Sequence, residues 1–174
     1  MRKTIIISLA LAAVLFGAVP AAQAQERAGF GVGVETLITS EFYTDPLPGI
    51  ATLTYDTGVF QIGGMLMLFS YDDNFTVLGA GGRFYYGIHR GERSDFSVGG
   101  GLALVNTDPE PGSSYTDFHL EGGGKIRAFI TPNVALTTSL GIGFVIADND
   151  GGDQDVFGLT GNLNASVGIS YYFW

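Results

Sequence analysis

The run from Phe157 to Trp174 alternates by residue type almost without interruption. One set is Phe157, Leu159, Gly161, Leu163, Ala165, Val167, Ile169, Tyr171 and Phe173; the other is Gly158, Thr160, Asn162, Asn164, Ser166, Gly168, Ser170 and Tyr172. A period of two puts these sets on opposite faces of a sheet, whereas a helix would mix them. The run is also long for a strand, since soluble sheets use strands of about 5–6 residues. A stretch from Val134 to Ala147 repeats the pattern. There Val134, Leu136, Thr138, Leu140, Ile142, Phe144 and Ile146 oppose Ala135, Thr137, Ser139, Gly141 and Gly143. Between Thr116 and Ile130, Phe118, Leu120, Ile126 and Ala128 share one face, and His119, Glu121, Lys125 and Arg127 the other.

The start of the chain reads differently. Arg2 and Lys3 precede an apolar core from Ile5 to Phe16, and Ala22-Gln23-Ala24 forms a small-x-small cleavage site. Residues 1–24 are therefore expected to be a secretory signal peptide and residues 25–174 one domain. The chain has no cysteine, which excludes disulfide scaffolds, thiol catalysis, cysteine-ligated metals and lipoprotein processing. Loss of Arg2 and Lys3 leaves the remainder more acidic than the −9 of the full chain. An acidic chain argues against a nucleic-acid partner.

Turn-rich segments divide the domain into eight predicted strands. They span residues 29–39, 50–56, 58–70, 75–88, 96–106, 116–130, 134–147 and 156–173. Most reach the roughly 9–11 residues that cross a bilayer; the second falls short without its flanks. Alternation alone fits two barrels: a soluble one, apolar within, or a membrane one, apolar outside. The polar face decides. In the last two stretches it is Gly, Ser, Thr and Asn, with no Lys or Glu. A water-facing surface carries long charged side chains, whereas a narrow eight-stranded interior needs small ones. The expected architecture is thus all-β: an eight-stranded antiparallel up-and-down transmembrane barrel. Closure removes the free strand edges that lipid does not tolerate.

With the N-terminus inside, the outward connections are Ser40–Gly49, Tyr71–Asn74, Thr107–Tyr115 and Asp148–Asp155. They carry Glu41, Asp45, Asp72, Asp73, Asp108, Glu110, Asp148, Asp150, Asp153 and Asp155, and no Lys or Arg. The inward connections are the Asp56–Gly58 corner, His89–Asp95 and the short Thr131-Pro132-Asn133 turn. Arg27, Arg83, Arg90, Arg93, Lys125 and Arg127 fall in the inner half or the interior. Aromatic belts are expected at both interfaces. Phe42, Tyr43, Tyr71, Phe75, Tyr115 and Phe118 would form the outer one, and Tyr55, Phe60, Tyr86, Phe129, Tyr171 and Phe173 the inner one.

The signal peptide, the eight strands, the Thr-Pro-Asn turn and the terminal Gly168-x-x-Tyr171-x-Phe173 resemble the small outer-membrane β-barrels of the OmpA/OmpX-like superfamily. The resemblance covers the whole mature chain and implies the outer membrane as its location. Outer-membrane lipid, lipopolysaccharide and the barrel-assembly machinery are the implied partners. In that family the terminal aromatic strand is the assembly signal, which maps here onto Gly168, Tyr171 and Phe173. Trp174 follows in the other register, so either frame could serve. Function is not implied, because the family holds adhesins, structural barrels, small pores and lipid-modifying enzymes.

Glu35, Gln61, Arg83, Glu121, Lys125 and Arg127 are expected to face the lumen, and burial demands that their charges pair. Paired, they close the barrel; displaced, they would line a pore. His119 and Glu121 sit two apart on one inward face, a pair able to do acid–base work. The His-x-Ser arrangement of lipid A deacylases is absent, since Leu120 and Glu121 follow His119. Asp148, Asp150, Asp153 and Asp155 crowd one loop with Gly151 and Gly152, like oxygen-rich calcium loops, but without the bidentate Glu of an EF-hand. A solvated loop and a weak divalent-cation site both fit. The glycine clusters, such as Gly99-Gly100-Gly101, lack the Lys-Ser/Thr of a phosphate loop and fit bends and close packing. No cofactor is expected, the default state is a monomer, and any extracellular ligand is unspecified. A structural or surface-interaction role is expected ahead of a passive pore, and both ahead of an outer-leaflet lipid enzyme.

Overall fold

The computed structural model describes residues 27–37, 49–71, 75–109, 112–147 and 156–174. The proposed signal peptide and the acidic loop Asp148–Asp155 lie outside them. Eight strands form: β1 Gly29–Leu37, β2 Gly49–Asp56, β3 Phe60–Tyr71, β4 Phe75–Arg90, β5 Ser94–Pro109, β6 Tyr115–Phe129, β7 Val134–Ala147 and β8 Val156–Phe173. Each pairs antiparallel with its sequence neighbours. β1 and β8 pair with each other, Val34 opposite Ile169, and so close the barrel. The chain is thus an eight-stranded antiparallel up-and-down barrel, with no strand edge running its full length.

Three connections at one end, here called the inner end, are tight. In the β2–β3 turn Thr57 N donates to Phe60 O at 2.9 Å, and the Thr57 hydroxyl accepts from Phe60 N at 3.0 Å. Gly58 has φ of +84°, a left-handed value that glycine adopts freely. This aims its N–H at Asp56 Oδ1, 2.9 Å away. In the β6–β7 turn Thr131 Oγ1 accepts from Val134 N at 3.0 Å. Arg27 and Trp174 lie at this same end.

The two faces of the wall are inverted relative to a water-soluble barrel. Leu66, Leu68, Leu78, Leu102, Leu104, Leu136, Leu140 and Ile142 point outward, Leu68 with 73% of its surface exposed. Glu35, Asp56, Gln61, Asp95, Ser97, Lys125, Arg127, Thr137 and Ser166 point inward and are buried. An apolar exterior over a polar interior is what lipid requires and water penalises.

The strands differ from the sequence reading at β5, expected at 96–106 but spanning Ser94–Pro109 and so taking in Thr107 to Pro109 of the expected outward connection, and at the inner end of β4. That strand was expected to stop at Ile88, with His89–Asp95 as a turn; it runs to Arg90, and β5 begins at Ser94. The cause is a β-bulge between Gly87 and His89. Ile88 and His89 both face outward there. The extra residue exchanges the two faces, so the even-numbered Arg90 turns into the lumen. Gly87 makes this possible: a Cβ at that position would lie 2.6 Å from Arg90 Nε and 3.1 Å from Val59 O.

Phe129 is a second correction. It was assigned to the inner aromatic belt, but it follows the inward parity of Lys125 and Arg127, and only 8% of its surface is exposed. Tyr55, Tyr86, Tyr171 and Phe173 do face outward.

Candidate functional site

The lumen changes character along its length. Towards the outer end its wall mixes buried Ile50, Val77, Ala103 and Val105 with Thr107 and the partly buried Asp117 and His119. The ion pairs begin at mid-height and continue to the inner end, in two layers.

The middle layer centres on Arg83 of β4. Its Nη1 donates to Glu35 Oε2 of β1 at 2.6 Å, and its Nε lies 2.8 Å from Glu121 Oε1 of β6. Lys125 of β6 approaches Glu35 Oε1 at 4.0 Å and sits 5.4 Å from the centre of the Tyr85 ring. The Ser166 hydroxyl donates to Glu35 Oε2 at 3.2 Å. Two acids and two bases therefore balance. Glu35 and Arg83 are almost fully enclosed, whereas the Glu121 side chain keeps 20% of its surface. A cavity of about 10 Å³ lies beside them, lined in part by Glu35, Thr54, Gln61 and Tyr85. That is room for about one water molecule.

The inner layer centres on Arg127 of β6, of which no surface is exposed. Its Nη2 lies 2.6 Å from Asp56 Oδ2 and also pairs with Asp95 Oδ2. Arg90 Nη1 reaches the same two carboxylates at 2.9 and 3.4 Å. Below them the rings of Phe129 and Tyr172 lie 6.0 Å apart, and the Arg127 guanidinium is 5.3 and 5.0 Å from their centres. Arg27 covers Phe129 at 3.8 Å and donates to Glu92 O. Trp174 stacks on Tyr172 at 4.8 Å with 3° between the planes, and its Nε1 donates to Pro132 O at 2.8 Å. Between the layers Gln61 Nε2 donates to Ser97 Oγ at 3.2 Å.

All six residues expected in the lumen face inward, and the five charged ones fall into two groups. Glu35, Arg83, Glu121 and Lys125 meet in the middle layer, and Arg127 belongs to the inner one. Asp56, Arg90 and Asp95 had been read as turn residues. Asp95 shares the parity of the inward Ser97 and Gly101, a usable signal; Arg90 depends on the bulge, at which Gly87 is the one hint. His119 faces the lumen above Glu121 with Asp117 beyond it, both partly buried. Gly168 sits opposite Glu35 in the β1–β8 ladder. Its Cβ would meet Glu35 Cγ at 2.6 Å, so this terminal-strand glycine leaves space for the middle layer. Asp148, Asp150, Asp153 and Asp155 lie outside the described residues. Among the described residues no group of three or more His, Asp or Glu side chains is placed to hold a metal ion.

No protein-family model matches the chain, and no curated protein matches it. Solved structures do. Neisserial surface protein A aligns with a TM-score of 0.56 at 16% identity, over 84% of this chain and 98% of that one. A major outer membrane protein from Thermus thermophilus aligns at 0.44 and 16%, over 84% and 99%. Ail, the attachment invasion locus protein of Yersinia pestis, aligns at 0.40 and 13%, over 84% and 100%. The first of these establishes a shared fold: this chain is built as the small eight-stranded outer-membrane barrels are.

Proposed function

We propose that a chain with this fold is an outer-membrane barrel that acts through its wall and its outer surface, not through catalysis or an open channel. One observation carries the reading. The lumen is occupied along its inner half by side chains whose charges pair with one another, while the outward face is apolar. A wall so composed is stable in hydrocarbon, and a lumen so filled does not hold a column of water. Lipid and lipopolysaccharide are then the surroundings of the barrel. The acidic outer connections are the surface presented beyond them, and the Gly168-x-x-Tyr171-x-Phe173 strand is the segment the assembly machinery would read.

The test has two parts. In the outer-membrane fraction, the unheated protein should migrate differently from the boiled protein on a denaturing gel, because a closed barrel resists detergent. Identical migration would remove the barrel from the membrane. The refolded protein in planar bilayers should then show no unitary conductance at moderate voltage. Steady channels from the unmodified protein would replace the closed barrel with a passive pore.

A further inference from the structure

We infer that the lumen is closed at two independent levels, and that the inner closure is strapped in place by Arg27 and Trp174. The inference rests on the barrel reading proposed above. The middle closure is the Arg83 layer, where one guanidinium bridges carboxylates from opposite sides of the barrel, Glu35 on β1 and Glu121 on β6. The inner closure is the Arg127 layer with the Phe129 and Tyr172 rings beneath it. Arg27 ties one side of that plug to the β4–β5 turn through Glu92 O, and Trp174 ties the other to the β6–β7 turn through Pro132 O. No ion pair in the structure joins Arg83 to the Asp56–Asp95 pair or Arg127 to the Glu35–Glu121 pair among the described residues. Each layer balances its own charges in ion pairs, so displacing one does not unpair the other.

Two aromatic side chains on the inward face at the inner mouth need a reason. In a membrane barrel an interfacial aromatic gains by facing the headgroups, as Tyr171 and Phe173 do here. Phe129 and Tyr172 forgo that position and fill the mouth. A plug explains their placement, and it explains why the last residue stacks on Tyr172 instead of joining the outward register.

The experiment uses two charge-balanced variants of the full chain and their combination, refolded into planar bilayers. The middle variant carries Glu35→Ser and Arg83→Ser; the inner one carries Asp95→Ser, Arg127→Ser and Tyr172→Ser. Each alone should remain silent, and the combination should show unitary conductance. A middle variant that conducts as fully as the combination overturns the inner closure, and an inner variant that conducts alone overturns the middle one. Silence in all three places the block elsewhere and also overturns the proposal.

A second measurement does not depend on the combined variant folding. The chain has no cysteine, so Ser97→Cys puts a single thiol between the two layers. In proteoliposomes a membrane-impermeant maleimide should leave it unlabelled, and should label it once the inner variant is added, though that protein still does not conduct. Equal labelling with and without the inner plug overturns the inference. Loss of heat-modifiable migration would instead indict the barrel reading itself.

Discussion

The two charged layers use the same chemistry and differ in how the chain delivers it. The middle layer draws on residues in straight stretches of β1, β4 and β6, each reaching the lumen by simple alternation. The inner layer draws on a turn in which Gly58 N–H holds Asp56, on a bulge that redirects Arg90, and on Arg27 and Trp174 beside the rings. The middle layer keeps some contact with water through Glu121, but the inner layer has none at Arg127 or Asp56. Burial sets the cost of an error. An unpaired charge that water can reach is tolerable, whereas one that water cannot reach is expensive. The layer that local pattern specifies least is therefore the one where substitution should cost most.

Arg127→Ala should give the largest effect. It leaves Asp56 and Asp95 with Arg90 as their nearest cation, and breaking such a buried pair costs about 3–5 kcal/mol. Arg83→Ala should cost less, about 1–3 kcal/mol, the range for an unsatisfied buried polar group. Lys125 remains beside Glu35 to take up part of the charge, and Glu121 can turn to water. Urea unfolding of both variants in the same phospholipid bilayer ranks them. Equal midpoints, or a reversed order, would break the proposed difference between the layers.

This ordering also bears on what the sequence could reveal. The faces of β6, β7 and β8 were legible because alternation runs through them unbroken, and so the inward positions of Glu121, Lys125 and Arg127 were legible too. The partners of Arg127 were harder to read, Asp95 showing only by its parity with Ser97. Asp56 and Asp95 fall at strand ends, where a residue one position beyond a strand and the last residue within it look alike. Arg90 lies after a bulge, and a bulge exchanges the two faces with no change in composition. Only Gly87 hints at it, since glycine within a strand often marks a bulge or a close approach. Phe129 was legible by parity and was misplaced because its residue type suits a belt. Register outranked residue type there, since the guanidiniums of Arg27 and Arg127 supply the aromatic ring with a partner inside.

The bulge can be tested directly. Gly87→Ala should destabilise the barrel by about 1–3 kcal/mol, the usual range for overpacking, because the new methyl would press on Arg90 Nε. In an Arg90→Ala background the same change should cost distinctly less, since the side chain it displaces is gone. The double-mutant cycle should show a coupling of at least about 0.5 kcal/mol. Additive effects would mean that Val59 O, and not the placement of Arg90, dictates glycine at this position.

The smallest expected effect separates the layers most cleanly. Trp174 is the only tryptophan of the chain, and it touches the inner plug alone, stacked on Tyr172 and 6.3 Å from Phe129. Trp174→Ala removes two ring contacts, of which the stack on Tyr172 is the closer, and one exposed hydrogen bond, and should lower stability by about 0.5–1.5 kcal/mol, the scale of an aromatic pair. Left in place, the indole is a built-in probe. Its emission should shift to longer wavelength in Arg127→Ala, where the rings above it loosen, and stay unchanged in Arg83→Ala, where the altered layer lies beyond the plug. A shift of equal size in both variants would show that the layers move together. The lumen would then be one cooperative network, and the contrast between its halves would lie in their assembly and not in their response.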